Sequence, residues 1–164
     1  LVSLILDPAD GLLVYRNSDR IRAGGFEVEV TGHVAPRVHL RASYAHQHAV
    51  DAVTDARLTN SPADVAQLAL RGPLPAPDLT GGLEIAYVGE RLTLAGNRLA
   101  GRALVNATVV QALPRTGVEI TVGALNLFGT EHADPAGAEH VSDVIPQVGR
   151  TLFAKVTLAA PRAR

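Results

Sequence analysis

Cysteine, methionine and tryptophan are all missing from this 164-residue chain. Without cysteine there can be no disulfide framework, zinc finger or thiol nucleophile, although the absence does not decide the compartment. Aromatic residues reach only 4% and charged residues 19%, and lysine occurs once, at Lys155, against fourteen arginines. Net charge is −1, and no basic stripe of the kind that binds nucleic acid is present. No run approaches the ~18 apolar residues of a membrane-spanning helix. That exclusion does not reach membrane strands, which need only about ten alternating residues each. The start, Leu1-Val2-Ser3-Leu4, has neither an initiator methionine nor a basic-then-apolar leader. We therefore read the chain as processed, or as a piece of a longer protein. A Gly-x-Ser-x-Gly elbow, a phosphate-binding loop, a dinucleotide fingerprint and His-Glu-x-x-His are also lacking, so nothing argues for an enzyme.

What remains is 47% apolar with a mean hydropathy of +0.16, too apolar and too weakly charged for a disordered chain. The apolar residues recur with period two. Phe26, Val28 and Val30 alternate with Glu27, Glu29 and Thr31, and Val38, Leu40, Ala42 and Tyr44 alternate with His39, Arg41 and Ser43. The same pattern runs through Leu83–Tyr87, Val118–Ala124 and Leu152–Leu158. Strict alternation predicts strands with one apolar and one polar face. Eight strands are expected, near 1–6, 20–33, 37–50, 63–72, 79–91, 101–113, 116–128 and 147–160, with 12–16 extending the second strand or forming a ninth. Segment 101–113 is apolar on both faces at Leu104, Val105, Val109 and Val110, and 63–70 admits a helical reading that Pro62 and Pro73 oppose.

Short connections (34–36, 72–78 and 114–116) alternate with long polar ones (7–20, 50–62, 92–100 and 129–146). An up-and-down antiparallel sheet then collects the short turns at one edge and the long loops at the other, the layout of an outer-membrane barrel. The expected fold is all-β, an antiparallel up-and-down transmembrane β-barrel segment of about eight strands. A hairpin tip at Val34-Ala35-Pro36 predicts Glu29 opposite Arg41, Thr31 opposite His39 and Phe26 opposite Tyr44. Gly24-Gly25 reads as a bulge or kink.

Several stretches, in order and spacing, carry a family resemblance. Asn17 with Gly25-Phe26-Glu27-Val28-Glu29, Ala42-Ser43-Tyr44, Asn60-Ser61-Pro62, Tyr87-Val88-Gly89-Glu90-Arg91, Leu125-Asn126-Leu127-Phe128-Gly129, and Ile145-Pro146-Gln147 with Gly149-Arg150-Thr151-Leu152 resemble the C-terminal part of a TonB-dependent outer-membrane receptor barrel. The resemblance covers residues ~15–158 and implies that 1–164 is the C-terminal portion of a barrel of about 22 strands. It further implies that the plug domain and TonB box lie outside this chain. The implied role is energised uptake of a siderophore, cobalamin or similar scarce ligand across the outer membrane of a Gram-negative bacterium. The implied partners are outer-membrane lipid, the barrel assembly machinery, the TonB system through the N-terminal part, and a small-molecule or metal-chelate ligand, with no cofactor and no nucleic acid. The terminal aromatic of such barrels falls here at Ala160, followed by Pro161-Arg162-Ala163-Arg164, and Phe26, Tyr44 and Tyr87 are the only aromatics on apolar faces that could serve an aromatic girdle.

His46 and His48, two apart at the outer end of a strand, share a face, and with Asp51 they form a candidate metal-chelate site; solvated loop histidines are the competing reading. His132, in the last long loop, and Arg91 complete the candidate ligand-binding set, and His140 lies in the same loop. Glu27, Glu29, His39 and Arg41 should face the lumen and pair across strands. Two other readings compete with the receptor. One is a complete eight-stranded outer-membrane barrel with a structural or adhesion role. The other is a soluble β-barrel that binds a small apolar ligand in a cup lined by Val38, Leu40 and Tyr44.

Overall fold

A computed structural model describes residues 2–17 and 20–158. No helix occurs among them, and none is long and apolar enough to cross a membrane. The strands are β1 (Val2–Leu6), β2 (Leu13–Asn17), β3 (Ile21–Ala35), β4 (Val38–Asp51), β5 (Asp64–Pro73), β6 (Leu79–Val88), β7 (Arg91–Leu92), β8 (Arg98–Leu99), β9 (Arg102–Leu113), β10 (Val118–Leu125), β11 (Ala133–Pro135), β12 (Val144–Pro146) and β13 (Thr151–Leu158). Seven of them form one antiparallel meander in the order β13-β10-β9-β6-β5-β4-β3. β1 pairs with β2 in a separate hairpin. The strand near 1–6 thus does not join the main sheet, and 13–17 is a strand of its own rather than an extension of the second. β7–β8 and β11–β12 are small hairpins within the long loops. Ala160 and the 161–164 tail lie outside the described residues.

The pairings propagate the period-two pattern from strand to strand without changing its phase. Tyr44 stands opposite Ala66, which stands opposite Tyr87. Leu83 and Ile85 face Ala107 and Val105, and Val109 and Ala107 face Val122 and Ala124. Val122 and Ala124 in turn face Ala154 and Leu152. One continuous apolar face results, and the odd residues of β3 as far as His33, of β4 and of β5 fall on the opposite, polar face. Segment 101–113 fits this scheme: Leu104 and Val110 lie on the polar face with Asn106 and Thr108 between them. The 63–70 ambiguity resolves as strand β5.

The apolar face has no layer packed on it. Val28 is 54% exposed, Leu152 75% and Val156 64%, and the buried apolar residues among those described are Val50, Ala124 and Ala136. A soluble cup lined by Val38, Leu40 and Tyr44 would need this face turned inward and covered. Instead a trough of about 540 Å³ runs along the polar face, lined by Arg41, Arg71, Glu84, Thr108, Glu119 and Thr121 among others. At about 25 cal/mol per Å², an uncovered apolar sheet face is stable only against another apolar phase. β3 and β13 are the two edges of the sheet and do not pair with each other.

The first hairpin corrects the expected register. Its tip is Pro36-Arg37, and Arg37 adopts a left-handed backbone (φ 67). A bulge between His33 and Ala35 then sets the pairing, so Glu29 faces Ser43, Thr31 faces Arg41 and Phe26 faces His46. The slip relative to expectation is two residues, and an even slip leaves every side chain on its face. The expected partners therefore survive as diagonal neighbours: Arg41 Nη2 donates to Glu29 Oε2 at 3.0 Å, and the Phe26 and Tyr44 rings sit 5.8 Å apart. Gly24-Gly25 carries no bulge, because the register runs through it unbroken. Gly25 is required for a different reason: a Cβ there would lie 2.1 Å from the His46 carbonyl oxygen.

Candidate functional site

Because the meander alternates direction, connections 52–63, 89–101 and 126–150 meet at one rim, and 36–37, 74–78 and 114–117 meet at the other. The long connections do more than share a rim; side chains knit them together. Asn60 takes a left-handed backbone (φ 51) and donates its N–H to the Leu92 carbonyl at 2.8 Å. Glu90 accepts from Arg98 at 3.0 Å and from Arg57 at 3.5 Å. Asp143 Oδ2 accepts from Asn97 Nδ2 at 2.9 Å, and its Oδ1 from the Ala95 N–H at 3.2 Å.

The centre of this knot is Asp134 on β11. Its Oδ1 accepts from Arg91 Nη1 and from Arg102 Nη1, both at 2.7 Å, while the Ala133 carbonyl accepts from the same two side chains. The Arg91 and Arg102 side chains are 8% and 16% exposed. Burial pushes the Asp134 carboxyl upward, but hydrogen bonds and charge from Arg91 and Arg102 outweigh it and hold the group below the usual carboxylate range. Asp143 is also held low, by the Thr93 hydroxyl first and then by Asn97. Asn126 closes the end of β10: at φ 49 it leaves the strand, its Nδ2 donates to the Thr130 carbonyl, and its Oδ1 accepts from the Thr130 N–H, each at 2.9 Å. Of the motif residues, Asn60 and Arg91 meet, with Arg91 Nη1 3.5 Å from Asn60 Oδ1, whereas Gly89 donates its N–H to the Asp64 carbonyl and Asn126 braces its own loop through Thr130.

The four predicted site residues do not form a single site. Arg91 is buried in the knot, and its guanidinium is committed to Asp134. His132 stands two residues before Asp134, half-buried, with Nδ1 3.0 Å from the Thr130 carbonyl. A carbonyl can only accept, so Nδ1 carries the proton and Nε2 keeps its lone pair in the neutral ring. His46 and His48 have the parity of Tyr44 and stand on the apolar face near the long-loop rim. His46 Nδ1 meets Asp64 Oδ1 at 2.9 Å, and the Tyr44 hydroxyl donates to the same oxygen at 2.6 Å. Asp51 has the opposite parity, and its Oδ1 is occupied by the N–H groups of Val53 and Thr54 and by the Thr54 hydroxyl. The carboxylate that reaches His46 is therefore Asp64, not Asp51. No group of three metal-ligating side chains occurs among the described residues. Sequence reasoning missed Asp134, Arg102 and Asp64, which act through partners 18 to 43 positions away.

Phe26, Tyr44 and Tyr87 do lie together. Tyr44 and Tyr87 occupy one row across β4 to β6, and Phe26 is one pairing step nearer the long-loop rim. They form a short aromatic group on the apolar face.

No family model matches the sequence, and no curated protein matches it. Solved structures do. The chain is similar to the ferric yersiniabactin uptake receptor FyuA from Yersinia pestis (TM-score 0.71, 18% identity, 87% of this chain and 24% of that one). It is similar to BauA, the ferric preacinetobactin receptor from Acinetobacter baumannii (0.71, 19%, 94% and 25%). It is also similar to the ferric-catecholate import receptor Fiu from E. coli K12 (0.70, 19%, 94% and 22%). The chain spans about a quarter of the length of these structures, and its fold is that of the corresponding part of their barrels.

Proposed function

We propose that this chain is the C-terminal barrel segment of an outer-membrane active-transport receptor, one that takes up a ferric siderophore or similar metal chelate with energy relayed by TonB. The observation that carries this reading is a single uncovered apolar face across seven meandering strands, with every elaborated loop tied to one rim. Lipid is the phase that such a face requires, and the knotted rim is the part of the molecule able to meet a ligand from outside. The likeness to three ferric-chelate receptors supports the same reading. In it, the outer membrane of a Gram-negative cell is the location and the barrel assembly machinery inserts the strands. The N-terminal part of the full-length protein makes the contact with TonB. The role in this reading is binding and transport rather than catalysis, in keeping with the receptors whose fold the chain shares.

Within the rim, His132 is the residue best placed for a ligand, with a free lone pair on Nε2 beside the Arg91–Asp134 knot. Arg91 acts by holding the loops rather than by touching the ligand. The test uses the full-length protein in cells lacking their own ferric-chelate receptors. Chelates labelled with radioactive iron should enter in an energy-dependent way, and an uncoupler should abolish entry but leave binding intact. His132→Ala should weaken binding at unchanged surface levels, and His46→Ala with His48→Ala should leave it unchanged. Absence of energised uptake for every chelate class refutes the transport reading.

A further inference from the structure

The short-turn rim carries a group of side chains that the uptake reading does not use. His33 on β3 and His39 on β4 are direct cross-strand partners, with ring centroids 4.1 Å apart. Arg71 on β5 faces His39, extending the same row along the polar face. Arg37 stands at the hairpin tip. All four border one concavity of about 690 Å³, which Thr80 of β6 completes. No aspartate or glutamate lines this concavity, and no described residue forms an ion pair with Arg37 or Arg71.

We propose that this corner binds a small divalent oxyanion. Two guanidinium groups and two imidazoles in one concavity without a counter-charge generate a positive potential, and the guanidinium fork matches oxyanion geometry. Facing imidazoles repel when both are protonated, and a bound dianion cancels that repulsion, so anion binding and histidine protonation reinforce each other. The other charged or polar groups near the pair do not reverse this sign. Glu29 of β3 is engaged by Arg41 of β4. Thr31 donates to Glu29 at 3.4 Å. Glu84 of β6 and Glu119 of β10 line the adjoining trough, which shares His39, Arg71 and Thr80 with this concavity, but neither carboxylate lines the concavity itself. A pair of facing imidazoles alone would suit a transition-metal cation, but the flanking Arg37 and Arg71 oppose one. A lipid headgroup is excluded by placement, because the row lies on the polar face. The proposal does not depend on the uptake reading.

The test uses the full-length protein in detergent, with native folding verified by its heat-modifiable migration, and sulfate as the probe because it stays dianionic throughout. Calorimetric titration is run at about pH 5.5 and about pH 7.5, on either side of the ordinary histidine value of about 6.5. Saturable sulfate binding is expected, roughly tenfold tighter at the lower pH. Arg37→Gln with Arg71→Gln should abolish it at both pH values. His33→Gln with His39→Gln should remove only the gain at low pH. No binding up to about 10 mM sulfate, a limit near −3 kcal/mol, would overturn the proposal, and that is the result expected if an acidic side chain elsewhere in the protein already fills the corner. Binding that survives the double arginine replacement, or zinc binding lost in the double histidine replacement, would overturn it too.

Discussion

Replacing Asp134 with alanine should release the long loops from one another without unfolding the sheet. The carboxylate accepts two hydrogen bonds at 2.7 Å from guanidinium groups that are 8% and 16% exposed. Hydrogen bonds to charged groups contribute about 1.5–3 kcal/mol each, and a buried charge left unpaired adds a penalty of its own. Asp134 is itself one-third exposed, so water can reach part of the vacated space, and we take about 3 kcal/mol for the loss. At 1.36 kcal/mol per tenfold, that is on the order of a 100-fold change in the opening equilibrium. The assay is hydrogen exchange by mass spectrometry on the full-length protein. Amides of 130–147, among them the Ala136 N–H bonded to the Asp143 carbonyl and the Gln147 N–H bonded to the His132 carbonyl, should exchange about 100-fold faster. Those of 104–112 and 152–157 should not change. Asp134→Asn, which keeps an acceptor but loses the charge, should fall between. The folded carboxyl is held below its unfolded value of about 3.9, so its stabilisation is fully present above that pH and is lost as pH falls through the folded value. The variant should therefore lose most of the acid sensitivity of this segment, keeping the share that Asp143 contributes. Unchanged exchange in 130–147 would refute the knot as the element that holds the loops.

Leu40→Arg or Ile120→Arg, on the apolar face, should cost about 2–4 kcal/mol near a bilayer midplane, and Thr121→Arg, on the polar face, should be mild; folding into lipid vesicles followed by gel mobility checks this. Gly25→Ala should impair assembly by at least ~1–3 kcal/mol, because the clashing atom is the His46 backbone oxygen, and denaturant titration of the folded barrel measures the loss. Gly123→Ala should cost less, and should recover when paired with Phe153→Leu, since the Cβ would meet the end of the Phe153 ring at 2.5 Å; the same titration reads it. Asn126→Ala should cost about 1–2 kcal/mol through the lost Thr130 bracket, and Asn126→Gly should recover only the share owed to the left-handed backbone, measured by thermal melting.

Strand positions were legible in the sequence because alternation is local: Val118 to Ala124 and Leu152 to Leu158 declare their faces within a few residues. Face assignment was legible for the same reason, and it withstood the two-residue slip in the first hairpin. The slip itself was not legible. It arises from a left-handed Arg37, at a turn position where glycine or asparagine is the usual signal, and from a bulge that leaves no mark in the composition. The rim knot was hidden more deeply. Arg91 was visible as a cation in a suggestive motif, yet nothing local distinguishes a ligand-binding arginine from one buried against Asp134, 43 positions away. Likewise Asp64 reads as a strand-start residue until pairing brings His46 and Tyr44 to it.

The two free edges have a consequence for how such a sheet enters a membrane. Along β3 and β13 every second residue points its N–H and C=O away from the sheet, where no partner strand lies among the described residues. In hydrocarbon each such group costs several kcal/mol, so even the eight residues of β13 forfeit on the order of tens of kcal/mol if that edge meets lipid. The half-open strip is therefore not a state that can wait in the bilayer for its neighbours. If the proposed barrel reading holds, other strands would have to pair with both margins as the apolar face leaves water, which would make ring closure and insertion one kinetic event.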